Sequence, residues 1–307
     1  MRLRPAAKIN LTLSVGPRGD DGYHPLSSVF LRVGLADELV VAWAEDGPDV
    51  LTVTGLPSGP IDANLVLHAL GAVRQRVGHE LPPLVATLDK RIPMGGGLGG
   101  GSSDGAAAIE AAEVMWAVGI APQIRAEIEL ELGADVPFFA RGGSAALVTG
   151  RGEQIERLPA PTGELGVLLV TPRVALSTAQ VFGRFDDLAL ATTSESVTSE
   201  LASVMRDGMG ADQLVAWAPR LRDANDLWAA AASLAAGLAA LRDHLEAETR
   251  RPWLLSGSGS TLFALYPTVA EASADGRLLV QAESELLEGA MINAVDMNGP
   301  DPNWRYP

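Results

Sequence analysis

Pro93-Met94-Gly95-Gly96-Gly97-Leu98-Gly99-Gly100-Gly101-Ser102-Ser103 is the stretch of this chain that most constrains its fold. Six of the seven positions from 95 to 101 are glycine, a composition that costs backbone entropy on folding and needs a compensating reason. A strand pattern, Leu84–Leu88, precedes the stretch, and an alanine-rich helix pattern reaching about Val118 follows it. Because glycine has no Cβ, the backbone N–H groups of such a stretch can approach phosphate oxygens closely. The N-terminus of the helix that follows would also favour an anion, through its dipole and its unpaired N–H groups. The sequence therefore predicts a phosphate-binding loop between a strand and a helix.

Two other kinds of glycine-rich site fit this stretch less well. No lysine follows Gly101, so it is not a Walker A loop. Gly95, Gly97 and Gly100 satisfy G-x-G-x-x-G, but a dinucleotide fold places that loop in its first strand–helix unit, with an acid about 20 residues later. Here some 90 residues come first, and position 120 is Ile120. A nicotinamide dehydrogenase is therefore disfavoured, as is a plain hinge, since hinges seldom lie between a strand and a helix start.

Composition excludes several classes of function. The 307 residues are 47% hydrophobic and 20% charged, which is typical of a soluble globular chain, and this length favours two lobes over one core. A net charge of −15 argues against nucleic-acid or anionic-membrane binding. The absence of cysteine excludes disulfides and thiolate catalysis. The apolar run Trp228–Leu241 is shorter than a bilayer span. We expect a soluble cytoplasmic protein with a small-molecule substrate, no nucleic-acid partner and no membrane partner.

Periodicity predicts the elements around the glycine stretch. Lys8–Val15 alternates as a strand with one polar face. Ser27–Val33 and Glu38–Ala44 are predicted to pair around Gly34, and Asp226–Glu248 is predicted to form one helix. Further predictions are a hairpin, Ala145–Thr149 and Gln154–Leu158, turning at Gly150-Arg151-Gly152; N-cap side chains from Ser102-Ser103-Asp104; and a frayed tail from Asn298.

With four further blocks in order, the glycine stretch resembles the GHMP kinases, the superfamily of galactokinase, homoserine kinase and mevalonate kinase. The blocks are Ala7-Lys8-Ile9-Asn10-Leu11, Asp21-Gly22-Tyr23-His24, Gly133-Ala134-Asp135-Val136-Pro137-Phe138 and Leu255-Ser256-Gly257-Ser258-Gly259. The resemblance runs from Lys8 to about Phe263. It implies a two-lobed α/β (α+β) fold, with an ATP-binding lobe (1–160) like ribosomal protein S5 domain 2 and a ferredoxin-like substrate lobe (161–307).

The same resemblance implies an activity. The blocks are most similar to members that use ATP and Mg²⁺ to phosphorylate the 2-hydroxyl of a cytidine diphosphate-linked methylerythritol, in the non-mevalonate pathway to isoprenoid precursors. Such an enzyme is expected to be a monomer or weak homodimer. Two alternatives stay open: another GHMP small-molecule kinase, or a non-catalytic nucleotide-binding regulator on the same fold.

Roles for individual residues follow from the resemblance. Asp135 matches the catalytic aspartate, which takes the proton of the acceptor hydroxyl. Lys8 matches the lysine that keeps this carboxylate ionised and stabilises charge on the transferred group. Asn10 matches a contact to the methylerythritol end. Without the resemblance, Asp135 is a plausible turn former and Lys8 an edge lysine.

Tyr23 and His24 match a pair that recognises cytosine, the ring stacked and its edge hydrogen-bonded. Phe182 would be the opposing aromatic and Thr178 a neighbouring contact, although simple core packing also explains Phe182. Gly257 and Ser258 match the superfamily's third motif, which contacts the substrate. The alternative interpretation is a plain hairpin turn between two strands.

The nucleotide site is expected to use Pro93 through Ser103 together with Asn64 and Lys90. Asn64 also fits an ordinary helix N-cap. Asp104 stands where many relatives have asparagine, and it is given no phosphate contact because its charge would oppose one. No side chain is assigned to Mg²⁺, and His24, one of four histidines, has no partner at metal-ligand spacing.

Overall fold

The computed structural model describes residues 1–20, 22–78 and 80–297. Over these residues the chain forms strands β1 (Arg2–Leu3), β2 (Ala6–Asn10), β3 (Ser14–Val15), β4 (Leu26–Ala36), β5 (Glu38–Trp43), β6 (Val50–Gly55), β7 (Leu84–Lys90), β8 (Ala145–Gly150), β9 (Gln154–Leu158), β10 (Gly166–Thr171), β11 (Leu254–Leu255), β12 (Leu262–Tyr266) and β13 (Met291–Asp296). The predicted frayed tail from Asn298, and Asp21 of the second block, lie outside the described residues.

The helices are α1 (Leu65–Val77), α2 (Gly100–Met115), α3 (Pro122–Leu132), α4 (Val136–Arg141), α5 (Thr178–Asp187), α6 (Glu195–Arg206), α7 (Ala211–Leu221), α8 (Trp228–Leu234), α9 (Leu238–Thr249) and α10 (Val269–Gln281), with short 3₁₀ turns at Ile61–Ala63 and Glu285–Leu287. Among the helices of the described part of the chain, none combines the length and the apolar character needed to cross a bilayer.

Three sheets organise the molecule. One has the order β1-β5-β7-β6, with β6 parallel to β7 and the other pairs antiparallel. A second is antiparallel in the order β2-β4-β8-β9, with β3 also paired to β4. The third, also antiparallel, has the order β11-β12-β10-β13. The predicted hairpin at residues 145–158 is confirmed as β8 and β9. Helix and strand are mixed in a two-lobed α/β arrangement, as expected.

A buried apolar cluster joins the first part of the chain to the second. It contains Ile9 and Leu31 from β2 and β4, Val167 and Phe263 from β10 and β12, and Met205 from α6. All five side chains are fully buried. Burial of this kind removes apolar surface from water and stabilises the contact, and it fixes β2, which carries Lys8 and Asn10, against the second half.

Three of the sequence-based predictions for individual elements are wrong. The strand predicted over Lys8–Val15 is interrupted, because β2 ends at Asn10 and β3 begins only at Ser14. The strands around Gly34 do not pair with each other: β4 and β5 belong to different sheets, because only Asp37 separates them and one residue is too short for a hairpin turn. Gly34 instead provides space for Asp296 of β13, where a Cβ would collide. The predicted helix Asp226–Glu248 is interrupted between α8 and α9, where Gly237 adopts a φ of 89°.

Candidate active site

A cavity of about 910 Å³ lies where the glycine stretch, β2, the start of α4 and the β11–β12 hairpin converge. All of the residues predicted for the site line this cavity, apart from Ser103, whose side chain is buried beneath it. The fold thus brings together segments that are as much as 250 positions apart in sequence, from Lys8 to Ser258. Arg18, Arg151 and Asp186 also line the cavity, and the sequence did not single them out.

Lys8 and Asp135 meet on one side of this cavity. Nζ of Lys8 lies 3.4 Å from Oδ2 of Asp135; the lysine side chain is 4% exposed and the aspartate side chain 31% exposed. Asp135 occupies the N-cap position of α4, yet its side chain makes no capping hydrogen bond. The carboxylate therefore faces the cavity beside a buried cation, which is the arrangement that a general base for an acceptor hydroxyl requires.

The ammonium group of Lys8 is held in place by polar and aromatic neighbours. It donates a 2.6 Å hydrogen bond to Oδ1 of Asn10, whose Nδ2 in turn donates to Oγ of Ser28 at 2.9 Å. It also lies 4.8 Å from the ring centroid of Phe30, within the range of a cation–π interaction. Oδ1 of Asn10 therefore orients the ammonium group of Lys8 within the cavity.

The glycine stretch adopts a backbone that most other residues would strain. Gly95, Gly97 and Gly99 have φ values of 71°, 75° and 70°, in the left-handed region. A Cβ at position 97 would collide with the carbonyl oxygen of Ser256, and one at position 99 would lie 2.9 Å from the ring of Phe139. Glycine is therefore needed at these positions to let the loop pack against the rest of the protein, and not only to leave space for a phosphate. Replacing Gly97 or Gly99 by valine would disturb the fold, so a loss of ATP affinity in such a variant would not show that the loop binds the nucleotide.

Backbone contacts join the glycine stretch to both halves of the molecule. The N–H of Lys8 donates to the carbonyl of Leu98 at 3.0 Å, and the N–H of Thr261 donates to the carbonyl of Gly96 at 3.2 Å. Oγ of Ser256 donates to the carbonyl of Gly97 at 2.9 Å. A phosphate held by this loop would thus be fixed relative to Lys8 and to the β11–β12 hairpin.

Lys90 lies beneath the loop in a buried cluster of charges. Its Nζ contacts Oδ2 of Asp37 and lies 2.7 Å from Oδ2 of Asp104. Burial by itself lowers the pKa of Lys90, but the charges of Asp104 and Asp37 outweigh it and leave this pKa raised. Oδ1 of Asp37 also accepts from the N–H groups of Arg91 and Ile92, at 2.5 and 2.8 Å, so the cluster fixes the chain that enters the glycine stretch.

The carboxyl group of Asp104 is buried beside Lys90. Burial, opposed by Lys90, raises the pKa of Asp104 to about 8. Its Oδ1 is buried and has no hydrogen-bond partner among the residues that the structure describes. Its Oδ2 accepts from Nζ of Lys90 at 2.7 Å, so Asp104 belongs to the buried charge cluster and has no assigned contact with a phosphate.

Two predicted helix caps have different outcomes. Oδ1 of Asn64 accepts from the N–H of Val66 at 2.9 Å, so the N-cap role is confirmed, and Asn64 also lines the cavity. The prediction that Ser102, Ser103 and Asp104 cap α2 is wrong, because α2 already begins at Gly100 with Gly99 at the N-cap position. The first turn of α2 nevertheless opens on the cavity, as an anion site at a helix N-terminus requires.

Aromatic side chains line the far end of the cavity. The rings of His24 and Phe182 lie 5.6 Å apart, and Tyr23 is 59% exposed. Nδ1 of His24 lies 2.8 Å from the carbonyl of Gly16, so its proton donates to that oxygen, while Nε2 lies 3.0 Å from Oδ1 of Asp186. The predicted contact of the His24 ring edge with cytosine stays a prediction.

Asn225, which the sequence did not single out, helps to position the β11–β12 hairpin. Nδ2 of Asn225 donates to the carbonyls of Leu255 and Gly257, at 3.0 and 2.9 Å. Oγ of Ser258 lies 3.0 Å from Oγ1 of Thr178. Asn225 is buried and these contacts satisfy its amide. Its sequence neighbours, Ala224 and Asp226, gave no local signal of this role.

Comparison with known proteins agrees with this geometry. Residues 64–143 match the family model described as the GHMP kinases N terminal domain. A 4-diphosphocytidyl-2-C-methyl-D-erythritol kinase from Pseudarthrobacter chlorophenolicus is 33% identical over 99% of this chain and 94% of its own. The enzyme of the same name from Moorella thermoacetica is 35% identical over 92% of this chain and 93% of its own. The chain belongs to the 4-diphosphocytidyl-2-C-methyl-D-erythritol kinase family.

Solved structures are consistent with membership of this kinase family. A crystal structure of 4-(cytidine 5'-diphospho)-2C-methyl-D-erythritol kinase is 28% identical and has a TM-score of 0.73, covering 96% of this chain and 99% of its own. A homoserine kinase from Cytophaga hutchinsonii has a TM-score of 0.64 at 16% identity, covering 96% of each chain, which shows only the shared fold. Membership of the 4-diphosphocytidyl-2-C-methyl-D-erythritol kinase family makes the chain an enzyme, a phosphotransferase of the GHMP class that uses ATP.

Proposed function

We propose that this kinase transfers the γ-phosphoryl group of ATP to the 2-hydroxyl of 4-diphosphocytidyl-2-C-methyl-D-erythritol. The observation that carries the proposal is the pair of Lys8 and Asp135, 3.4 Å apart on the wall of a cavity that the glycine stretch also lines. A base for an acceptor hydroxyl and a loop suited to phosphates then face the same space. The names of the relatives support the choice of acceptor.

In the proposed reaction the acceptor oxygen bonds to the γ-phosphorus as the bond from that phosphorus to the β,γ-bridging oxygen breaks, and ADP leaves. The proton of the hydroxyl goes to the carboxylate of Asp135. Nζ of Lys8 stabilises negative charge on the transferred group, and its burial strengthens this effect because water screens it less. Asn10 supports the reaction by holding Nζ of Lys8.

The glycine stretch and the first turn of α2 bind the phosphates of ATP, with Asn64 and Lys90 at the nucleotide side. Residues 1–160 form the nucleotide-binding lobe and residues 161–307 the lobe that completes the acceptor site. Mg²⁺ accompanies ATP, neutralising charge on its phosphates. In residues 1–20, 22–78 and 80–297 no group of three or more histidine, cysteine, aspartate or glutamate side chains could hold a metal ion. Magnesium is commonly bound through substrate phosphates and water with few protein ligands, and we assign it none.

The cytidine end of the acceptor lies against Tyr23, His24 and Phe182, and Thr178, Gly257 and Ser258 contact the remainder. Binding energy from this unreactive end fixes the reacting hydroxyl near Asp135, so it contributes to the rate as well as to affinity.

An ADP-release measurement with three separate acceptors tests the proposal. With ATP and Mg²⁺ present, we expect sustained ADP release with 4-diphosphocytidyl-2-C-methyl-D-erythritol and only background release with homoserine or mevalonate. Release with homoserine or mevalonate instead would identify another GHMP kinase. ATP binding without release for any acceptor would support the non-catalytic regulator and contradict the proposal.

A further inference from the structure

Helix α4 is short, and side chains from one face of a neighbouring sheet contact both of its ends. It spans only Val136–Arg141, with Asp135 at its N-cap position. Lys8 and Arg32 are directly opposite each other where β2 pairs with β4, so their side chains project from the same face of that sheet. Lys8 contacts Asp135 at the beginning of α4, and Arg32 contacts the end of α4.

Arg32 binds the C-terminal end of α4 and the residues that follow it. One terminal nitrogen of its guanidinium donates to the carbonyl of Phe139, and Nε donates to the carbonyl of Gly143 at 2.6 Å. Its backbone N–H donates to the carbonyl of Ser144 at 2.8 Å. The last carbonyls of a helix have no partner within the helix, so a side chain that donates to them fixes the helix end. Arg32 is 7% exposed, and water therefore competes little for these bonds.

Two phenylalanine rings hold this guanidinium and connect α4 to the glycine stretch. The guanidinium carbon of Arg32 lies 5.4 Å from the ring centroids of both Phe138 and Phe139, within the range of a cation–π interaction. The ring of Phe139 also packs against the glycine stretch, since a Cβ at Gly99 would lie 2.9 Å from it. The position of α4 relative to the proposed phosphate-binding loop thus depends on the contacts that Arg32 makes.

We infer that Arg32 is a positioning residue that places the carboxylate of Asp135 for proton transfer from the acceptor hydroxyl. The inference rests on the proposed function, in which Asp135 is the base. A six-residue helix is only about 9 Å long, so a displacement of its end is carried to its beginning. Arg32 does not itself line the cavity, and it therefore acts through Asp135 and not on a substrate. The rigid fork of an arginine suits this role because it binds two carbonyls in fixed directions.

A double-mutant cycle tests the inference, with ATP, Mg²⁺ and 4-diphosphocytidyl-2-C-methyl-D-erythritol as substrates. Arg32→Gln alone should lower kcat about 10- to 100-fold, the effect of misplacing a catalytic group. The dissociation constant of ATP and the KM of the acceptor should stay within about threefold. In the Asp135→Asn protein the same change should lower the residual kcat less than about twofold, because no base is left to position. Arg32→Lys keeps the charge without the fork, so its kcat should lie between those of the wild type and Arg32→Gln.

Arg242→Gln is the matched control. Arg242 is also 7% exposed, but it pairs with Asp223 and does not line the cavity. It should lower the melting temperature and leave kcat unchanged in both backgrounds, which measures the effect of losing a buried arginine as such. Thermal melting shows which variants are folded, and Arg32→Lys completes the same cycle if Arg32→Gln is not.

Two results would overturn the inference. One is a kcat that falls by the same factor in the wild-type and Asp135→Asn backgrounds, because Arg32 would then act independently of Asp135. The other is a folded Arg32→Gln protein with wild-type kcat. Wild-type turnover by Asp135→Asn alone, or no turnover of this acceptor by the wild type, would instead contradict the proposed function.

Discussion

Asp135→Asn is expected to lower kcat by about 10²–10⁴-fold, the usual contribution of general acid–base catalysis. An asparagine of nearly the same shape cannot accept the proton of the acceptor hydroxyl. It also removes the ionic partner of Lys8, which lies 3.4 Å away. The fold should be retained, since the side chain of Asp135 is 31% exposed and makes no capping hydrogen bond to α4. Steady-state kinetics and ATP titration on the purified variant measure both effects.

The matched control for this variant is Asp207→Asn. Asp207 is an exposed aspartate that follows α6 and does not line the cavity. We expect it to have wild-type kcat and wild-type ATP affinity. Turnover by Asp135→Asn within a few-fold of the wild type would remove Asp135 from the mechanism. Loss of ATP binding along with turnover would place Asp135 at the nucleotide.

Gly101→Asp is expected to weaken ATP binding about a hundredfold. Gly101 lies in the first turn of α2 and lines the cavity, and a Cβ there would meet only Leu65, at 3.8 Å. The new carboxylate fits sterically and even favours the helix N-terminus. It would lie beside the phosphates of ATP, however, and two like charges about 4 Å apart near a protein surface repel by roughly 4 kcal/mol before salt screening.

Gly101→Ala separates charge from bulk in this experiment. It adds the same Cβ without the carboxylate, so we expect ATP affinity within a few-fold of the wild type. Isothermal titration with ATP and Mg²⁺ gives the dissociation constants, and thermal melting shows whether each variant is folded. A folded Gly101→Asp protein with unchanged ATP affinity would show that the phosphates lie away from the start of α2.

Local chemistry made part of this structure predictable from sequence. Asn64 correctly predicted the start of α1, and Gly150-Arg151-Gly152 correctly predicted the β8–β9 turn. Both features depend on interactions between residues that are close in sequence. The glycine stretch likewise identified the loop between β7 and α2. The position of this loop between a predicted strand and a predicted helix was what indicated a phosphate-binding role.

Contacts between distant parts of the chain were not predictable in this way. The cluster of Asp37, Lys90 and Asp104 joins three separate segments, and no local pattern indicates that two carboxylates will share one lysine. Gly34 looked like a turn but makes room for Asp296, more than 250 residues later in the chain. Arg151 looked like an ordinary turn residue until its stacking on Tyr23 placed it in the cavity. Each of these features depends on tertiary packing, which overrides local preference.

The measurement that tests the central claim most directly is phosphorus NMR of the product made by the wild-type enzyme from ATP and 4-diphosphocytidyl-2-C-methyl-D-erythritol. Carbon 2 of the acceptor carries the methyl group and no hydrogen, so a phosphate on its hydroxyl has no three-bond proton coupling. We predict one new phosphomonoester resonance without proton splitting, and an unchanged pair of diphosphate resonances. A new resonance split by neighbouring protons would place the phosphate on another hydroxyl, and the absence of any new phosphomonoester would contradict the account.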